Sequence, residues 1–120
     1  MPKLLVIDDS PFIYKSVSKA LKDSEFEIVG HARNGLEGLK LIEEQHPDIV
    51  TLDVTMPVMD GIETAKHIFE KNKNFKVLML SAMGDETLLN TAKEIGIKHF
   101  IQKPFKDEVL LKKLRLLTLL

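Results

Sequence analysis

Five short apolar runs, each followed by a stretch of helical rather than alternating periodicity, constrain this chain more than any other feature. Leu4 to Ile7 and Ile49 to Leu52 are nearly continuous in their apolar character, the pattern of strands buried on both faces, which belongs to parallel sheets. Asn34-Gly35 would ordinarily suggest a hairpin turn. The residues after it, Leu36 to Gln45, have helical period instead, with Leu36, Leu39 and Ile42 on one side, so Asn34 is read as a helix start. Strand then helix, five times, predicts an α/β fold: one parallel sheet covered by helices on both faces through right-handed crossovers. At 120 residues the chain is read as one domain, 1–120, large enough for its own core.

The elements follow in order. The first helix is announced by Ser10-Pro11, since serine can cap free backbone N–H groups and proline at the first helical position loses no hydrogen bond. Its buried stripe is Ile13, Val17, Ala20 and Leu21. A second strand is expected over Phe26 to Ala32, the third over Asp48 to Leu52 beyond the stop at Pro47, and a helix from about Ile62 to Asn72 on Ile62, Ala65, Ile68 and Phe69. Asp60 with Glu63 resembles a capping box at its start. Lys76 to Leu80 is the fourth strand, and Asp85 opens a helix carrying Leu88, Leu89, Ala92 and Ile95, ended by Gly96. Ile97 to Ile101 is the fifth strand and Lys106 to about Leu119 the last helix, with Leu110, Leu114 and Leu117 facing the core and Leu116 and Leu119 outside the stripe.

In open α/β sheets, ligands bind outside the carboxyl ends of the strands. Collected there are Asp8 and Asp9 after the first strand, Asp53 after the third, Ser81 after the fourth and Lys103 after the fifth. Any one of them has a structural explanation, helix capping for the acids and a solvated surface for the lysine. Together they read differently. Three clustered carboxylates are costly to ionise unless a cation neutralises them, and an all-oxygen donor set suits Mg²⁺. With a lysine and a hydroxyl added, the set fits stabilisation of a tetrahedral phosphoryl group, Asp53 being the attacking oxygen.

Composition narrows the partners. Net charge is −1 and there is no basic block, which disfavours nucleic acid. There is no cysteine, so neither a disulfide framework nor a thiolate metal site, and no apolar run or leader of the kind that inserts in membranes, so a cytoplasmic location is expected. The four histidines, His31, His46, His67 and His99, have no metal-ligand spacing and are read as structural.

From Lys3 to about Leu117 the chain resembles the receiver domains of two-component response regulators. The matching pieces are Ile7-Asp8-Asp9-Ser10, Leu52-Asp53-Val54-Thr55-Met56-Pro57-Val58-Met59-Asp60-Gly61, Leu80-Ser81-Ala82 and Gln102-Lys103-Pro104-Phe105. The resemblance implies a flavodoxin-like, doubly wound five-stranded sheet in order 2-1-3-4-5 with five helices; that order comes with the family, of which the chemotaxis member is a standard illustration. It implies Asp53 as the phosphoacceptor from a sensor kinase phosphohistidine. Asp9 and Asp53 would ligate Mg²⁺ directly, with the Thr55 backbone carbonyl, and Asp8 partly through water. Lys103 and Ser81 would hold phosphoryl oxygens, Ser81 and Phe100 would switch, and the Lys103-Pro104 bond would be cis.

Within the family the pattern is most similar to stand-alone chemotaxis regulators, which implies a cytoplasmic monomer, a sensor histidine kinase upstream and an output protein such as the flagellar motor switch downstream. A phosphorelay intermediate, or a receiver cut from a larger regulator, is the alternative. The output surface is expected at Leu89, Phe100 and Lys113. Two departures are visible: Phe100 lacks the hydroxyl of some relatives, and Met83 is apolar where many are polar. Other classes fit less well. A haloacid-dehalogenase-type phosphatase wants a second acid where Thr55 stands, a flavodoxin would not place Asp8 and Asp9 against a flavin phosphate, and a Ser-His-Asp hydrolase lacks its nucleophile-elbow motif.

Overall fold

The computed structural model describes residues 1–120. Strands and helices alternate: β1 Lys3–Ile7, α1 Pro11–Leu21, β2 Glu27–Ala32, α2 Gly35–Gln45, β3 Ile49–Asp53, α3 Gly61–Lys71, β4 Lys76–Ser81, α4 Glu86–Glu94, β5 His99–Gln102 and α5 Asp107–Thr118. All strand pairs are parallel, in the order β2-β1-β3-β4-β5. The α/β, doubly wound five-stranded architecture is therefore as expected. No helix is long and apolar enough to cross a membrane.

Alternation along each strand divides the core in two. Leu4, Val6, Leu78 and Leu80 point to the side covered by α1 and α5, where Val17, Leu110, Leu114 and Leu117 close over them. Leu5, Ile7, Val77 and Met79 point to the other side, against Ile62, Ala65 and Ile68 of α3 and Ala92 of α4. Because both faces are covered, β1 and β3 are apolar almost throughout. That is why they read so clearly in sequence.

Helix starts follow local chemistry. Ser10 Oγ accepts the Ile13 N–H at 3.3 Å with Pro11 in the first turn, Asn34 Oδ1 accepts the Glu37 N–H at 2.9 Å, and Asp60 Oδ1 accepts the Glu63 N–H at 2.9 Å. Lys106 precedes α5 without a side-chain cap bond, since an ammonium group cannot accept one. Asp85 occupies the cap position of α4 but spends its carboxylate on the Ala82 N–H at 2.7 Å, bracing the turn after β4 instead of the helix.

Several sequence expectations need correction. Leu36 is 58% exposed rather than part of the buried stripe of α2. The close approach there is made by Gly38, where a Cβ would come within 2.7 Å of Ile7, so Gly35, Gly38, Leu39 and Ile42 define the inner face. At about 100° per residue Leu36 falls outside that arc. Leu88 is likewise 40% exposed, and only Ala92 of α4 is fully buried. Ile97 belongs to the core but not to a strand: its N–H bonds the Ala92 carbonyl in the turn, and β5 begins at His99. Phe26 is buried just before β2 begins, and α3 starts at Gly61 rather than Ile62.

Candidate functional site

The carboxyl edge of the sheet gathers the charged residues. Asp8 follows β1 and Asp53 ends β3, the strand hydrogen-bonded beside it, so parallel pairing alone places their carboxylates together. Gly61 allows α3 to begin against this edge, because a Cβ there would lie 2.1 Å from the Asp53 carbonyl oxygen. Between them Val58 has φ 69° at the centre of a three-residue turn closed by Met59 N–H to the Pro57 carbonyl at 2.7 Å. A β-branched residue in that region is strained, and here it shapes the loop beyond Asp53.

One carboxylate oxygen from each of Asp8, Asp9 and Asp53 lies within 4.8 Å of the other two. Asp8 and Asp53 are buried, at 1% and 6% exposure, while Asp9 is exposed at the mouth. Lys103, beyond β5, reaches in with Nζ 3.0 Å from Asp53 Oδ1 and 3.8 Å from Asp8 Oδ2. Its backbone N–H donates to the Ser81 carbonyl at 2.7 Å, tying the β4 and β5 ends together, and its peptide bond to Pro104 is cis as expected. Ser81 is buried one residue beyond the partner of Asp53 in the β3–β4 register.

The electrostatics match the crowding. Burial raises the Asp53 carboxyl to a pKa of about 6, the Asp8 charge adds to the rise, and the Lys103 hydrogen bond opposes it. Burial also raises Asp8, against the Ser10 N–H that bonds its Oδ1 at 2.9 Å. Asp8 Oδ2 is buried with no hydrogen-bond partner. An orphaned buried carboxylate oxygen inside an all-oxygen cluster is what a hard divalent cation would satisfy, so the donor set fits Mg²⁺.

Of the residues singled out in sequence, Asp8, Asp9, Asp53 and Lys103 share one site, Ser81 lies at the adjoining strand end, and Thr55 is exposed in the loop immediately after Asp53. Phe100 is outside the cluster. It is half-buried on β5, paired with Met79 and packed on the α3–α4 side of the core, with Lys93 Nζ 5.7 Å above its ring. Lys113 is half-buried on α5, and Leu89 packs partly against the core, so Leu88 is the more exposed leucine of α4. Sequence reasoning gave His31 no role at the site. Its Nε2 lies 2.8 Å from the Asp8 carbonyl, a placement made by the β1–β2 pairing and signalled by no local motif.

The model of the response regulator receiver domain matches residues 4–115. Chemotaxis protein CheY of Listeria monocytogenes is 49% identical over 111 residues, 92% of this chain and 93% of that protein. CheY of Thermotoga maritima is 38% identical over 104 residues, 87% of each chain. Among solved structures, the CheX–CheY–BeF3–Mg²⁺ complex from Borrelia burgdorferi superposes with a TM-score of 0.89 at 35% identity, covering 98% of this chain and 89% of that one. The chain belongs to the response regulator receiver family.

Proposed function

We propose that residues 1–120 act as a single phosphoacceptor domain, a two-component response regulator of the chemotaxis type, in which Asp53 takes the phosphoryl group. The observation behind this is the contact of Lys103 Nζ with Asp53 Oδ1 at 3.0 Å inside a cluster of three carboxylates at the end of β3. With a pKa of about 6, Asp53 is mostly ionised at neutral pH and so available as a nucleophile. An Asp53 carboxylate oxygen attacks phosphorus in line. The P–N bond to the kinase histidine breaks, and its electron pair leaves with the imidazole. Lys103 moves from the carboxylate to a phosphoryl oxygen, and the Ser81 hydroxyl donates to another. Mg²⁺, held by Asp8, Asp9, Asp53 and the Thr55 carbonyl, would neutralise the charge that the transferred group brings into the site.

The domain turns over only its own phosphoryl group, so its product is a changed surface. That surface comprises Leu89, Phe100 and Lys113 on α4, β5 and α5, the side to which the Ser81 loop leads. Similarity to the CheY proteins supports a cytoplasmic monomer that receives its signal from a sensor histidine kinase and passes it to an output protein, the flagellar motor switch being the candidate. Incubation with acetyl phosphate and Mg²⁺, followed by intact-mass measurement, tests the assignment. Wild type should gain one phosphoryl group and folded Asp53→Ala none; equal labelling of the variant would place the acceptor elsewhere.

A further inference from the structure

Asp8 is gripped from β2 on both sides of its backbone. Its N–H donates to the Ala32 carbonyl at 2.9 Å, and its own carbonyl meets His31 Nε2 at 2.8 Å. A carbonyl oxygen can only accept, so Nε2 carries the proton and donates. The ring is held in turn by Tyr14 of α1, stacked upon it with centroids 4.4 Å apart and planes 10° apart. Two neighbouring elements thus fix one imidazole against one peptide oxygen.

That peptide joins Asp8 to Asp9. Because the peptide unit is planar, anchoring the Asp8 carbonyl also sets the Asp9 N–H and the direction in which the chain enters Asp9. Asp9 needs such help more than its neighbours do. Asp8 is buried with its Oδ1 on the Ser10 N–H, and Asp53 ends a central strand with Lys103 on its carboxylate, whereas Asp9 is exposed at the mouth of the cluster. We infer that His31, oriented by Tyr14, is a positioning residue for the cation site: its Nε2–H holds the Asp8–Asp9 peptide so that the Asp9 carboxylate meets those of Asp8 and Asp53.

The inference rests on the Mg²⁺ reading above and predicts which property fails without the donor. Groups that orient metal ligands from outside the ligand shell typically change metal affinity about 10- to 100-fold when removed, and here the lower end applies because the grip is on backbone. His31→Phe keeps a flat ring to stack on Tyr14 and deletes the donor, whereas His31→Gln restores an N–H donor without the ring. Mg²⁺ titrations followed by the amide NMR signals of Asp9 and Thr55 give the affinity directly, with no phosphoryl transfer involved. His31→Phe should weaken Mg²⁺ binding about tenfold while remaining cooperatively folded without metal, and His31→Gln should recover most of it. If His31→Phe does not fold, Tyr14→Leu, which frees the ring and spares the donor, should weaken binding in the same direction. Wild-type affinity in His31→Phe, or in Tyr14→Leu where that is the variant measured, overturns the role of His31 alone. A wild type whose signals ignore millimolar Mg²⁺ overturns the cation site and this role with it.

Discussion

The last helices on the two sides of the sheet, α5 and α4, are not held equally. On one side α5 inserts Leu110, Leu114 and Leu117, all at 2% exposure or less, against α1, and Arg115 forms two hydrogen bonds with Glu25 at 2.8 and 2.9 Å. The same pair draws the Glu25 carboxyl down to about 2. On the other side α4 buries only Ala92, and leaves Leu89 partly covered and Leu88 exposed. Fewer buried apolar contacts mean a lower cost of local movement. The loosely held helix is also the one that follows Ser81, one of the groups proposed to grip the phosphoryl oxygens. A change at the carboxyl edge is therefore expected to shift α4 and β5, with Leu89 and Phe100, between pre-existing arrangements while α1 and α5 stay still, Lys113 on α5 being the fixed border of the proposed partner surface.

Unequal packing should appear as unequal cost. Leu114→Ala, fully buried, is expected to lose about 2 to 5 kcal/mol in urea unfolding, and Leu89→Ala roughly 1 kcal/mol, because Leu89 is only partly buried. Equal losses would erase the contrast between α5 and α4.

Next in size is the response of the site to metal. Saturating Mg²⁺ should stabilise the wild type by roughly 1 to 3 kcal/mol in thermal unfolding, since only the folded chain assembles the three carboxylates. Asp9→Ala should lose most of that response while leaving the α1–α5 layer intact. A melting temperature indifferent to millimolar Mg²⁺ would contradict the account.

The smallest effect is one of pH. Asp53 binds its proton more tightly folded, at about 6, than unfolded, near the ordinary 3.8. Its contribution is thus fully present below 3.8 and is lost as pH rises through 6. Without metal, lowering the pH from 7 to 5 should stabilise wild type relative to Asp53→Asn by about 1 kcal/mol. A difference of the opposite sign would mean that Lys103 outweighs burial.

What could be read in sequence, and what could not, has a physical boundary. Asp53, Asp8 and Lys103 were legible because each ends a run whose apolar character marks a strand, and parallel strands bring their carboxyl ends to one edge. Ser10, Asn34 and Asp60 were legible because capping is chemistry over three residues. Leu36 misled because the inner face of α2 is centred on Gly35 and Gly38 between Leu39 and Ile42, and glycines approach closely without any hydrophobic signal. Ile97 misled because a buried turn residue and a strand residue look alike over so short a run. The grip of His31 on Asp8 had no local signature at all, since it depends on the pairing of β2 with β1.

Amide hydrogen exchange, with and without beryllofluoride and Mg²⁺, tests most directly the claim that a phosphoryl-like group on Asp53 is read out through the loosely packed α4 and the adjoining β5. Exchange should slow at Ser81 to Ala92 and at Phe100 to Lys103 in wild type, remain unchanged across Val17 to Leu21 and Leu110 to Leu117, and show no response in Asp53→Ala. Changes centred on α1 and α5, or an equal response in Asp53→Ala, would contradict it.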